Sequence, residues 1–197
     1  MPVTLNEIKK LSLRYWLVVL LGAVFTLARF SEAFLILRAQ DVGLTLGYVP
    51  MVLIVMNIVY AASAYPAGAA SDQFSPRKTL VWGLGILVVA DLVLAVATSP
   101  LTALTGAALW GLHMGFTQGL LAKLVADNVP ATLRGTAFGI FNLVSGVALL
   151  LASVIAGALW SVFGAPATFL AGAAFAALPM VGLIAWRRNA HNTYSKL

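Results

Sequence analysis

The chain has 197 residues, 61% hydrophobic and 9% charged, with a mean hydropathy of +0.98 and a formal net charge of +6. A soluble domain carries about 25% charged residues, so these values exclude a water-soluble fold. At about 20 apolar residues per crossing, the length fits one membrane domain with short connectors. The absence of cysteine excludes disulfides, thiolate metal sites and cysteine nucleophiles.

Six apolar stretches follow one another, near residues 15–39, 47–70, 79–98, 101–126, 135–160 and 165–186. Lys9, Lys10 and Arg14 precede the first. That run is longer than the roughly 7–15-residue apolar region of a signal peptide, so it reads as a retained span. Arg29 and Glu32 lie three apart within it, on one helical face where they can pair. Charges inside a membrane cost about 2.5–3.5 kcal/mol each on insertion scales, so they mark either function or a paired interior.

The second stretch carries Asn57 and ends at a break from Ser71 to Pro76. Asp91 is alone in the third, toward its outer side, a structural carboxyl that is either protonated or paired with Arg29 or Arg38; Ser99-Pro100 closes that span. The fourth stretch holds Gly111, Gly115 and Gly119, a small-residue stripe that lets another backbone approach closely. His113 lies on roughly the opposite face. With an unperturbed pKa near 6.5 it suits proton transfer, although a neighbouring helix could equally satisfy it. Thr117, four residues on, can bond to the imidazole or to a solute, and Gln118 is expected to bond across helices. Asp127-Asn128-Val129-Pro130 ends this helix, because proline disfavours helical geometry before it. Asn142 lies in the fifth stretch, and Gly164 to Pro166 separates it from the sixth.

Lys9, Lys10, Arg14, Arg77, Lys78, Lys123, Arg134, Arg187, Arg188 and Lys196 fall on one side of these spans, against Arg38 beside Asp41 on the other. Cytoplasmic connectors collect Lys and Arg, so both termini are expected in the cytoplasm of a cell-membrane protein. Topology thus accounts for the positive charge, and no nucleic-acid partner is expected. Trp16, Trp160 and Trp186 stand at span ends, where amphipathic rings favour the interface.

The connector Gly68-Ala-Ala-Ser71-Asp72-Gln-Phe-Ser75-Pro76-Arg77-Lys78 resembles the cytoplasmic signature of the major facilitator superfamily. Ser75 stands where that signature has its second glycine, and Pro76 where it has its first arginine. LVADNVPATLRGTAFGIFNLVSG, residues 124–146, resembles the connector between the tenth and eleventh helices of bacterial facilitators, with Asp127 and Arg134 as its acid and base. ARFSEAFLILRAQDVGL, residues 28–44, is similar to the outer end of the seventh. The resemblance covers almost the whole chain and implies an all-α fold: the carboxy-terminal six-helix half of a facilitator, built from two inverted three-helix repeats with solute bound near the midplane between halves.

The resemblance also implies roles. The first and fourth helices would wall the cavity, with Arg29 and Glu32 as a solute-charge clamp or a proton-coupled switch, or else as a permanent internal pair. His113 and Thr117 would share that pathway. Asp72, Arg77, Lys78, Asp127 and Arg134 would form the cytoplasmic gate, with Asp72 docking on the opposite half. At its own helix end an acid faces the unfavourable pole of the helix dipole.

The expected activity is proton-linked secondary transport of a small solute. The alternative is a non-transporting half that assembles with or regulates a full-length transporter. Expected partners are membrane lipid, the solute, and an amino-terminal half (separately encoded or upstream) or a second copy of this chain. No cofactor or metal is expected. His113 with Glu32 lacks a third ligand at metal-site spacing, and there is no phosphate-binding loop of the GxxxxGK type, so the chain does not read as an enzyme.

Overall fold

The computed structural model describes residues 8, 11–73 and 75–194; the side chains of 70–73, 182 and 185–194 fall outside that description. Lys9, Lys10 and Lys196, and the side chains of Asp72, Arg187 and Arg188, therefore lie outside the described residues. The described chain is helical: α1 Leu13–Leu27, α2 Ala33–Asp41, α3 Pro50–Gln73, α4 Pro76–Ala95, α5 Pro100–Asp127 and α6 Arg134–Tyr194.

The stretch expected as one span over 15–39 is two helices. α1 opens at Ser12, whose hydroxyl accepts from the Tyr15 N–H at 3.2 Å, and it stops at Ala28. The interruption at 28–32 contains neither glycine nor proline. It is held by serine: the Ser31 hydroxyl accepts from the Ala33 N–H at 3.3 Å, and the Ser31 N–H donates to Ser153 Oγ at 3.1 Å. Such side-chain partners offer the backbone an alternative to the helical ladder.

Leu46–Ala69, Pro76–Ala95 and Ala131–Val181 are each long and apolar enough to cross a membrane. The last covers 51 residues, or about 75 Å as a straight helix, against a hydrocarbon core of about 30 Å. It cannot be one pass. Within α6, Gly164 has φ 83° and ψ 176°, a geometry that essentially only glycine adopts. Two arms result, the second opening on Ala165-Pro166.

α5 is the central helix, with Trp110, Gly111, His113, Met114, Gly115 and Thr117 all buried. It packs against α3 on one side and α4 on another; α4 packs against α6, and α1 against α6. Gly111 of α5 faces Met56 and Gly115 faces Ser63, so α3 and α5 run parallel. Gly106 faces Leu94 and Gly83 faces Thr117, so α4 and α5 run antiparallel. Tyr15 donates to the Ala137 carbonyl at 2.9 Å and Gly22 faces Phe141, so α1 is parallel to the first arm of α6. Gly85 lies against Met180 and Gly172 against Asp91, so α4 is antiparallel to the second arm. All four relations fit segments that alternate in direction along the chain.

Candidate functional site

A cavity of about 320 Å³ opens where the end of α1, the middle of α5 and the start of α6 converge. Phe25, Thr26 and Arg29 come from α1 and the break after it; His113, Thr117, Gln118, Leu121 and Ala122 from α5; Phe138, Phe141, Asn142 and Ser145 from α6. Irregular backbone at membrane depth is tolerated only where protein buries it or where it lines a cavity, and Arg29 stands on such backbone beside this cavity.

Arg29 is half-buried. The expected ion pair with Glu32 is not formed: among the described residues the ion pair present joins Arg38 to Asp41. The reason is the helix break, which removes the 60° relation between positions 29 and 32. Glu32 instead occupies the position preceding α2 and is not part of the cavity wall.

The His113 Nδ1 lies 2.8 Å from the Gly83 carbonyl of α4. A carbonyl only accepts, so Nδ1 carries the hydrogen and donates. A neighbouring helix thus satisfies one ring nitrogen while the ring still lines the cavity. Thr117 donates to the backbone carbonyl of His113 at 2.9 Å, so its hydroxyl hydrogen goes to its own helix rather than to the imidazole. Gln118 accepts from the Tyr60 hydroxyl at 3.3 Å, the cross-helix bond expected of it. The Ser145 hydroxyl is buried with no hydrogen-bond partner among the described residues.

The glycine stripe divides. A Cβ on Gly111 would run into the Met56 carbonyl and one on Gly115 into the Ser63 hydroxyl, whereas one on Gly119 would meet nothing within 4 Å among the described residues. Gly111 and Gly115 thus let α3 approach, and Gly119 opens onto a cleft shared with Ala64 and Gly68.

In the connector expected to form a gate, Arg77 donates to the Ile184 carbonyl at 3.2 Å and lines a surface recess with Lys78. Asp127 and Arg134 are both exposed, and no ion pair joins them among the described residues.

Asp91 pairs with neither Arg29 nor Arg38. Arg38 is committed to the carboxy-terminal end of α4, donating to the carbonyls of Leu94 (2.9 Å), Ala95 (3.1 Å) and Ala97 (2.8 Å), and to Asp41.

The sequence reading missed Thr26, Phe138, Phe141 and Ser145 as wall residues. A signal existed for three of them: Phe138, Phe141, Asn142 and Ser145 recur at the three- and four-residue spacing of one helix face.

A family model described as Major Facilitator Superfamily matches residues 15–196. An uncharacterised MFS-type transporter of Methanocaldococcus jannaschii is 33% identical over 175 residues, covering 86% of this chain and 44% of the relative. An uncharacterised MFS-type transporter of Mycobacterium tuberculosis is 27% identical over 118 residues, 59% of this chain and 20% of the relative. The crystal structure of the POT family transporter PepTSo superposes with a TM-score of 0.66 at 19% identity, covering 95% of this chain and 38% of that one. The chain thus spans less than half the length of each of these proteins.

Proposed function

The chain belongs to the major facilitator superfamily, and from that premise we propose that it forms six membrane crossings of a secondary transporter for a small solute. It is an integral membrane protein, and the cavity at Arg29 is its solute site. The observation that carries this reading is that cavity: an arginine with no ion-pair partner among the described residues, set on interrupted helix, facing hydroxyls, amides and phenyl rings. Sites of this kind, at broken helices near the bilayer midplane, are how secondary transporters bind their cargo.

The six crossings are the broken first span, α3, α4, α5 and the two arms of α6. Two features support that count and the inverted repeat. Directions alternate along the chain, as consecutive crossings require. The parallel pair of first and fifth segments also maps onto the parallel pair of fourth and second when the chain's two halves are exchanged, and the third–sixth pair maps onto itself. Both termini are cytoplasmic, on the lysine and arginine placement, in the cell membrane.

Rocking-type access needs a second body. The proposed second body is an amino-terminal six-helix half or a second copy, docking on the exposed faces of α3 and the first arm of α6. On that arm Gly135, Gly139 and Gly146 have nothing among the described residues within 4 Å of an added Cβ, the small-residue surface that membrane helices use for close contact.

Coupling to protons is assigned to Glu32, three residues from Arg29, and to His113. Asp72, Arg77, Lys78, Asp127 and Arg134 serve the cytoplasmic gate. The test is solute-driven proton movement in liposomes carrying the assembly, followed with an internal pH dye. Wild type should acidify or alkalinise with the solute; Glu32→Gln should lose that signal and keep solute exchange. Unchanged proton movement in Glu32→Gln would remove Glu32 from coupling. Solute flux unaltered by Arg29→Gln would remove the cavity from transport.

A further inference from the structure

Asp91 lies in the last two turns of α4, fully buried, and neither carboxyl oxygen has a hydrogen-bond partner among the described residues. The α4–α5 register places it level with Trp110, whose indole Nε1 is also buried without a partner. Intramembrane carboxyls are costly and normally sit with a counter-charge. The two arginines nearest in sequence logic do not supply one: Arg38 is spent on α4 carbonyls and Asp41, and Arg29 faces the other cavity.

Gly172 and the Phe30 ring lie beside Asp91. The Phe30 ring sits 5.3 Å from Trp110 and 5.5 Å from Phe169, centroid to centroid. A Cβ on Gly172 would lie 2.8 Å from Asp91 Oδ2 and 2.9 Å from Phe30 Cε1. Gly172 and Phe30 are also walls of a second cavity, about 290 Å³, between α1 and the two arms of α6. Its other walls include Val24, Leu27, Ile155 and Phe175, apolar residues that are themselves exposed. Gly172 and the Phe30 ring thus border both the apolar groove and the Asp91 carboxyl.

We propose that this groove and Asp91 form a second binding site, for an amphiphilic organic cation entering from the bilayer. Its apolar body occupies the groove. Its ammonium reaches the Asp91 carboxylate when the Phe30 ring turns aside, and meets the faces of Phe30 and Trp110, the aromatic surroundings that favour cations. The apolar walls select against hydrated cations, and the carboxylate selects against neutral and anionic amphiphiles. The site shares no residue with the Arg29 cavity, and every group named belongs to this chain. Its success or failure is therefore separate from that of the transport reading.

The test is equilibrium binding of radiolabelled dodecylamine to the full chain in phosphatidylcholine nanodiscs, with dodecanol as the neutral competitor. Wild type should bind the amine saturably, and dodecanol should compete poorly. Asp91→Asn should weaken binding at least about tenfold, the loss expected of a charge-assisted hydrogen bond. Gly172→Ala, whose methyl would stand in the gap between groove and carboxyl, should weaken it similarly while Asp91 is intact. Undiminished amine affinity in Asp91→Asn would overturn the proposal. So would equal binding of dodecanol, which would mark a groove for acyl chains alone, or the absence of saturable binding in wild type.

Discussion

Arg29 and Arg38 stand nine positions apart, one within the helix break and the other in the helix that follows it, and their surroundings are opposites. Arg38 is buried and directs its guanidinium at three carbonyls ending α4 and at Asp41. It closes a helix end where cations are favoured and ties α2 to α4. Arg29 is half-buried, makes no ion pair among the described residues, and lines a cavity. The difference teaches that charge inside a membrane is not one signal. A fully partnered arginine holds the fold, whereas an arginine facing a cavity is the one proposed here to contact solute.

The comparison can be broken by giving both positions the same substitution. Arg38→Met should cost about 3–5 kcal/mol, the penalty for removing one side of a buried, hydrogen-bonded charge, seen as a large drop in thermal unfolding temperature in detergent. Arg29→Met should leave that temperature within a few degrees and lower solute flux about tenfold or more, one lost transition-state contact. Reversed results would collapse the distinction.

A smaller effect tests the packing around the site. Gly111→Leu, which would drive into the Met56 carbonyl, should cost about 1–3 kcal/mol. Ser153→Ala removes the acceptor for the Ser31 N–H and should cost about 1 kcal/mol, with faster amide exchange at Ser31. Gly119→Ala meets nothing within 4 Å and should change stability by less than about 0.5 kcal/mol. That near-silence, beside the cost at Gly111, separates a packing glycine from an open one on the same helix.

Much of the architecture was legible in the sequence. Apolar runs and the placement of lysine and arginine are one-dimensional signals, so the six stretches and the family resemblance could be read directly. The turn at Gly164 to Pro166 was legible for the same reason: glycine and proline announce themselves locally. The break at 28–32 was not, because its stabilising acceptor, Ser153, is 122 residues away and no local residue type signals it. That hidden break also explains why Arg29 and Glu32 read as a pair. Their helical spacing is correct in the sequence but is not realised in space. The role of Arg38 was invisible for a similar reason, since its partners are backbone carbonyls of another helix, which no side-chain pattern reveals. Arg29, His113 and Thr117, three of the twelve residues lining the cavity, were singled out by their types and positions. The α6 wall was written in a helical spacing that only becomes meaningful once α1 is known to lie beside it.

The most direct test of the central claim, that the Arg29 cavity is a watery pathway inside the membrane, uses the absence of native cysteine in this sequence. Single cysteines would be placed at Asn142, on the cavity wall, and at Val89, an apolar residue 50% exposed in mid-α4. Both would be exposed to a membrane-impermeant maleimide in sealed vesicles of either orientation. The account predicts that Asn142→Cys reacts and Val89→Cys does not. Protection of Asn142→Cys from both sides, or equal labelling of the two positions, would contradict it.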